Sequence, residues 1–490
     1  MFRVLVAKAE LYKNYINGQW EDSSSEKTFV SLNPANKEEV VGVFQASTQE
    51  DVKRAIESAD AAFPSWSDTA PSKRAAILNK AAQYLIDHVD QFAKELTQEE
   101  GKPIGAARGE VLRSAETLKY YAVEGQSQSG ETFPQDDPNM DVSSKLEPLG
   151  VITVITPWNF PLSIPARKIA PALITGNTVV FKPSSETPLV AYRLVEALVH
   201  AGLPDGVLNF VTGNSREIGD SLVDHPAVKA VTFTGSTGAG ERIHRNVSFD
   251  TRTQMELGGK NPLIVMEDAD IELAAKLTVN GGYNLSGQAC TGTSRVIVMK
   301  EVKEKFLSAL VEKTKNLKIG NGFEEGITVC PLASEKQLTN VLKYIEIGKE
   351  EGADLLYGGE HVTEGDYAKG YYVRPAIFTE VDPSMRIAKE EIFGPVIAVI
   401  EVSDYAEAIK VANDVEYGLS ASIVTNNLKT AQQFTKDIKA GTVKVNRPTT
   451  GNLMNAPFGG IKRSSTSTFR ESGRAGLDFF TQIKTVYIGY

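Results

Sequence analysis

The 490-residue sequence is poor in cysteine, with only Cys290 and Cys330. Two are too few for a disulfide framework, so the expected location is a reducing compartment, the cytoplasm. Histidine is scarce as well. His88, His200, His225, His244 and His361 are scattered, none in a zinc-ligand spacing or beside a cysteine pair, which speaks against a metal site. No apolar run reaches the roughly 18 residues a spanning helix needs. The opening run Met1-Phe2-Arg3-Val4-Leu5-Val6-Ala7 is broken by Lys8 and Glu10 before it could serve as a signal-peptide core, so no membrane is expected. Positive charge is in deficit, with 52 Lys and Arg against 62 Asp and Glu, a net of −10. That balance speaks against a nucleic-acid-binding surface. No repeat of fixed period and no low-complexity segment interrupts the chain.

What is present is an ordinary globular composition, 41% apolar and 23% charged. The length suits two to four domains and a large core. Helical spacing runs through 50–63, 72–97 and 105–126. In the second, Ala76, Leu78, Ala81, Tyr84, Leu85, His88 and Phe92 fall near one face, and Gly101-Lys102-Pro103 ends it. Residues 127–139, rich in Ser, Gly, Pro and Asp, read as a linker or projecting arm. From residue 150 short apolar runs alternate with helical stretches: 151–155, 178–181, 207–211 and 228–233 as strands, and 189–201 as a helix. Glycines or prolines stand at the strand ends, the pattern of an α/β fold with a parallel sheet wound on both faces. Such sheets bind ligands at the carboxyl ends of their strands. The runs 263–266, 295–299 and 396–400 predict a second α/β region, and 479–490 a closing strand that pairs with a distant edge or another subunit.

Five segments could carry chemistry. Gly235-Ser236-Thr237-Gly238-Ala239-Gly240 follows a strand and would let a backbone approach a phosphate at a helix start, although the spacing is not G-x-G-x-x-G. Lys182, in Lys182-Pro183-Ser184-Ser185, stands just past a strand, where a lysine is ordinarily a solvated cap but could hold a ribose or phosphate. Cys290 lies among Gly, Gln, Thr and Ser, which suggests a turn or a helix start rather than a core stripe. A helix start would lower its thiol pKa. Cys290 is therefore the candidate nucleophile, and Cys330, between Val329 and Pro331, the structural one. Glu256, between apolar residues and two glycines, is a candidate general base if burial raises its pKa, and a surface glutamate otherwise. Asn159, in Pro157-Trp158-Asn159-Phe160-Pro161, could donate to a developing oxyanion or be a plain turn residue.

In chain order these segments resemble the NAD(P)-dependent aldehyde dehydrogenase superfamily over nearly the whole length. The matching pieces are Pro157-Trp158-Asn159-Phe160-Pro161, Phe181-Lys182-Pro183-Ser184, Phe233-Thr234-Gly235-Ser236-Thr237, Glu256 through Pro262, Gly287-Gln288-Ala289-Cys290, Glu390-Glu391-Ile392-Phe393-Gly394-Pro395 and Pro457-Phe458-Gly459-Gly460. The resemblance implies a Rossmann-like cofactor domain (1–127 and 149–258), an α/β catalytic domain (259–462) and a small β bridging arm (128–148 and 475–490). Such an arm would complete a neighbour's sheet and make a homodimer or homotetramer.

The resemblance also implies roles. Cys290 attacks the aldehyde carbon, Asn159 and the Cys290 amide hold the oxyanion, and Glu256 activates the hydrolytic water. Relatives that pass the acyl group to coenzyme A lack this base, so an acid-forming enzyme is implied. A relative that kept the fold and lost activity would lack Cys290 or Glu256. Thr156, Trp158, Lys182, Ser184, Ser185, Gly235, Ser236, Glu391 and Phe393 match cofactor-contact positions. Where NAD-preferring members carry a glutamate, Ser185 removes a charge that repels a 2′-phosphate, so NADP is expected to be favoured and NAD accepted, with Glu186 working against that. Phe160 and Arg167 match the substrate tunnel. An arginine there suits a carboxylate, so the expected substrate is a small acidic aldehyde. The stretch 446–456 and the run Phe469-Arg470-Glu471 look most like α-ketoglutaric semialdehyde (2,5-dioxopentanoate) dehydrogenases, with succinate-semialdehyde or broad-specificity enzymes as alternatives. Two places depart from the family: Leu285-Ser286 replace a common Asn-Gln, and 462–471 replace a usual Lys-x-Ser-Gly-x-Gly-Arg-Glu run.

Overall fold

The computed structural model describes residues 9–490; the opening run at 1–7 lies outside them. Two seven-stranded sheets carry the fold. The strands of the first are β1 (Asn14–Ile16), β2 (Gln19–Glu21), β3 (Val151–Ile155), β4 (Thr178–Lys182), β5 (Leu208–Phe210), β6 (Val228–Thr234) and β7 (Arg252–Glu256), in the spatial order β7-β6-β3-β4-β5-β1-β2. The five strands from β7 to β5 are parallel, and β1 and β2 add an antiparallel edge. Chain order reverses between β3 and β6, so the sheet is doubly wound with its switch point there.

Each residue of β3 is buried, as a sheet covered on both faces requires. Ile152 and Val154 pack into a core with the helices that follow residue 71. Val151 and Ile155, on the opposite face, meet Val52, Ile56 and Ala59 of helix Gln49–Ser67. Three helices frame the switch point: α1 (Ile104–Glu124), α2 (Ser163–Ile174), which packs on α1, and α3 (Pro188–His200). A fourth, α4 (Thr237–Asn246), leaves β6 through the glycine turn.

The expected helix over 72–97 is two helices, Pro71–Asp87 and Val89–Glu100, broken at His88. Ala76 is exposed and Ala75 takes the buried place. The apolar spacing runs unbroken across the junction, so periodicity alone could not mark it. The remaining expected strands and helices stand within a few residues of their predicted ends.

The second sheet comprises β8 (Asn261–Val265), β9 (Thr293–Met299), β10 (Asp354–Tyr357), β11 (Ala376–Thr379), β12 (Val396–Val402), β13 (Ser420–Val424) and β14 (Thr442–Val445), in the order β10-β11-β12-β9-β8-β13-β14. Only β10 runs antiparallel to its neighbour. The largest apolar cluster surrounds this sheet. A third, three-stranded antiparallel sheet joins Thr132–Phe133 and Met140–Pro148 to the closing strand Thr481–Gly489. Among the described residues no helix is long and apolar enough to cross a membrane.

Candidate active site

Polar groups without full hydrogen-bond complements cluster at the carboxyl ends of β3, β4 and β6. After β3, Thr156 is buried and its Oγ1 has no partner. The Trp158 ring stands edge-on to Phe393 at 5.4 Å, which ties this loop to one from the second sheet. β4 ends at Lys182, whose Nζ is buried and donates to the Pro183 carbonyl at 2.9 Å. Burial lowers its pKa to about 8. The expectation of a solvated cap is therefore corrected: Lys182 points into protein.

Ser184 Oγ accepts from the Glu186 amide at 3.2 Å, and Ser185 Oγ donates to the Gly213 carbonyl at 3.0 Å. After β6, Gly235 donates its N–H to the Glu256 carbonyl at 3.1 Å. A Cβ on Gly235 would come within 2.5 Å of the Phe233 ring. Exposed Ser236 is the N-cap of α4, yet its side chain makes no capping bond, which leaves first-turn amides open to an anion.

Cys290 does not open a helix. It sits in a turn between the 3₁₀ segment Asn284–Gly287 and the amino end of β9. Leu285, Ser286 and Gly287 take positive φ values of 54°, 52° and 72°, which turns the chain sharply out of helix Ile271–Tyr283. Asn261, at the start of β8, donates from Nδ2 to the carbonyls of Cys290 at 2.8 Å and Gly292 at 2.9 Å and so fixes the turn. The half-buried thiol is pushed up to about 12, first by burial and then by the carboxylates of Glu391 and Glu256, with Arg167 opposing. The expected lowering by a helix start is thus corrected, because Cys290 lies in a turn and not at a helix start, and burial dominates. Cys330 is buried, with its Sγ 3.5 Å from Ser286 Oγ.

Glu256 is the last residue of β7 and is buried, not a surface glutamate. Neither carboxylate oxygen has a hydrogen-bond partner. Burial, then the Glu471 carboxylate, raise its pKa well above the usual carboxylate value, against the pull of Lys168, Arg470 and Arg167. Behind it runs a buried network. Lys168 Nζ donates to Glu471 Oε1 and, at 2.8 Å, to Thr232 Oγ1. Thr232 donates in turn to Gln254 Oε1 at 2.8 Å.

Asn159 is also buried. Its Nδ2 donates to the Gln288 carbonyl at 2.9 Å, two residues before the thiol, and one N–H of that amide remains. Phe160 follows it, half-buried, with Lys102 Nζ 4.6 Å over its ring. Arg167, on α2, stacks its guanidinium 5.6 Å over Phe458 and lies 3.9 Å from Glu471, too far for a hydrogen bond. Its charge opposes the upward shifts of both Cys290 and Glu256.

From the second sheet, Glu391 Oε1 accepts from the Gly259 amide at 2.9 Å, and burial raises its pKa to about 7. Phe393 takes φ 58° to present its ring to Trp158. The site thus lies where the carboxyl ends of the first sheet meet the amino ends of β8 and β9. Sequence reasoning assigned no role to Asn261, Lys168, Glu471, Lys102 or Glu110. A lysine inside the apolar run of α2 was the available signal for Lys168. The others announce themselves only through distant contacts.

Residues 20–486 match the model of the aldehyde dehydrogenase family. An alpha-ketoglutaric semialdehyde dehydrogenase from Bacillus subtilis is 44% identical over 485 residues, 99% of this chain and 99% of that protein. A 2,5-dioxopentanoate dehydrogenase from Saccharolobus solfataricus is 45% identical over 475 residues, 96% and 98% of the two. A betaine aldehyde dehydrogenase from Staphylococcus aureus, solved in complex with NAD+, superposes with a TM-score of 0.95 at 35% identity, covering 100% of this chain and 97% of that one.

Proposed function

The chain belongs to the aldehyde dehydrogenase family, and we propose that it oxidises 2,5-dioxopentanoate (α-ketoglutaric semialdehyde) to 2-oxoglutarate with a nicotinamide dinucleotide. The observation that carries the substrate class is Arg167. It is a cation half-withdrawn from water, 3.9 Å from Glu471, whose charge acts on both Cys290 and Glu256. A planar guanidinium grips a carboxylate through two parallel hydrogen bonds. The names of the B. subtilis and S. solfataricus relatives favour the five-carbon keto acid. Succinic semialdehyde offers Arg167 the same carboxylate and is the alternative.

The residues around the switch point fit a dinucleotide. Thr156 Oγ1 is orphaned, Lys182 Nζ has one carbonyl partner, and the start of α4 is uncapped. We assign Thr156, Trp158, Lys182, Ser184, Ser185, Gly235 and Ser236 to its binding, with Glu391 and Phe393 at the nicotinamide ribose and ring. The serine at 185 places no carboxylate against a 2′-phosphate, so NADP is favoured and NAD accepted. When bound, the dinucleotide supplies the acceptor for the hydride leaving the aldehyde carbon.

The chain's own residues do the rest. Cys290 Sγ attacks the carbonyl carbon as its proton passes to the Glu256 carboxylate, which gives it up to solvent before the hydrolytic step. The free N–H of Asn159 and the Cys290 amide stabilise the oxyanion. After oxidation the acyl group is a thioester on Sγ. Glu256 takes a proton from water as the water oxygen attacks that carbon, and the carboxylic acid departs as the C–S bond breaks. Phe160 and Phe458 flank the acyl chain.

We further read the three-stranded sheet as an oligomerisation arm. Ile483, Tyr487, Ile488 and Tyr490 are exposed there, and the outer edge of Thr481–Gly489 is unpaired among the described residues. A homodimer or homotetramer would cover it. The two thiols are free, which suits the cytoplasm.

The test is kcat/KM for 2,5-dioxopentanoate, succinic semialdehyde and a neutral aldehyde with NADP and with NAD, for the native chain and Arg167→Leu. The expected result is a preference for the five-carbon acid and for NADP. Arg167→Leu should raise KM for the acids about 10- to 100-fold and leave the neutral aldehyde unchanged. Equal losses on all three aldehydes contradict the Arg167 reading, and a strong NAD preference contradicts the Ser185 reading.

A further inference from the structure

Three buried ionisable side chains stand beside the loop that carries Asn159 without belonging to the reaction described above. Glu100, Lys102 and Glu110 are each at most 5% exposed. Lys102 Nζ donates to Glu110 Oε2 at 2.5 Å and to the Asn159 carbonyl at 2.9 Å. Glu110 Oε1 accepts the amides of Leu162 and Ser163, both at 3.1 Å. Those amides open α2, whose own N-cap, Leu162, has no side-chain oxygen to offer. One ion pair therefore grips both ends of residues 159–163.

Local structure puts it there. Gly101 ends helix Val89–Glu100 at φ 96°, where a Cβ would come within 2.7 Å of Pro331, and the turn sends Lys102 inward. Glu100 Oε2 accepts the Lys102 amide at 3.0 Å and fixes the turn from the other side. Burying such a pair is costly, and its net contribution to stability is small or negative. What it supplies is geometry. The chain of bonds runs from Glu110 to Lys102, to the Asn159 carbonyl, and from the Asn159 amide to Gln288, two residues before Cys290.

We propose that Lys102 and Glu110 are positioning residues for Asn159: the pair sets the distance and angle at which the asparagine amide meets the developing oxyanion above Cys290. The inference rests on the oxyanion reading of Asn159 given above. A displacement of about 1 Å at such a donor costs on the order of 10²-fold in rate.

The experiment is a double-variant cycle on the full-length protein with 2,5-dioxopentanoate and NADP. Lys102→Met should lower kcat about 10²-fold while the KM for NADP stays within about twofold. Asn159→Ala should lower kcat by 10²- to 10³-fold. The double variant should be no slower than Asn159→Ala alone, because the lysine acts through the asparagine. Should Lys102→Met fail to fold, Glu110→Gln carries the same cycle. It removes the ion pair, keeps an oxygen for the two amides, and should cost about tenfold in kcat, again only when Asn159 is present. Losses that multiply in the double variant, or an unimpaired Lys102→Met or Glu110→Gln beside an impaired Asn159→Ala, overturn the proposal alone. An unimpaired Asn159→Ala overturns the oxyanion reading and the proposal with it.

Discussion

Cys290 and Glu256 are both shifted upward, first because both are withdrawn from water and then because each has carboxylates nearby, Glu391 and Glu256 for the thiol and Glu471 for Glu256. With the thiol pushed up to about 12, Cys290 is held in its protonated form at neutral pH without cofactor. Raised pKa values mean that proton loss, and with it reactivity, grows as pH rises. The iodoacetamide rate at Cys290 in the cofactor-free protein should therefore climb about tenfold per pH unit from 7 to 10. A plateau below pH 8 would show a thiol activated in the resting state, contrary to this account. Cys290, Glu256 and Asn159 stood out in the sequence as candidates, but their surroundings did not. Glu256 and Lys182 are each the last residue of a strand, where solvent is the ordinary neighbour. Both are buried, Glu256 beside Gly459 and Ser465, more than 200 residues away in sequence.

At the scale of elements, strands were the most legible, because a run such as Val151–Ile155, β-branched throughout and apolar but for Thr153, fits a sheet covered on both faces. Helix junctions were less so. His88 adopts φ −107° and ψ 16° inside a stripe whose apolar spacing never falters. The nucleophile turn was the least legible, since Leu285 and Ser286 are unusual choices for left-handed backbone. Leu285→Asn should relieve that cost, because asparagine tolerates the conformation. The expected outcome is a rise in Tm of about 2 °C with kcat kept within about twofold. A fall in Tm, measured by calorimetry, would mean that the leucine side chain contributes more through packing than its backbone costs.

The whole molecule makes the site by apposition, with the carboxyl ends of one sheet set against the amino ends of another. The rule that ligands gather at carboxyl ends foretold the first half. The second half, with Cys290 before β9 and Asn261 at the start of β8, depends on contacts more than 100 residues apart, such as Asn159 with Gln288 at 2.9 Å. The arm is the other feature at this scale. Its nine paired positions from Thr481 to Gly489 leave apolar side chains in solvent that a neighbouring chain would cover. If the arm assembles the chain as proposed above, replacing Ile483 and Tyr487 together by lysine should yield a monomer in size-exclusion chromatography with light scattering. An unchanged mass would assign assembly to another surface.

The central claim is that the acid is released from a thioester on Cys290 by water that Glu256 activates. Glu256→Gln removes the base and leaves the nucleophile. Mixed with 2,5-dioxopentanoate and NADP and examined by intact and peptide mass spectrometry, this variant should form about one equivalent of NADPH per chain and then stall, with a 2-oxoglutaryl group on Cys290. Continued turnover at the native rate, or an acyl group on any other residue, would contradict the account.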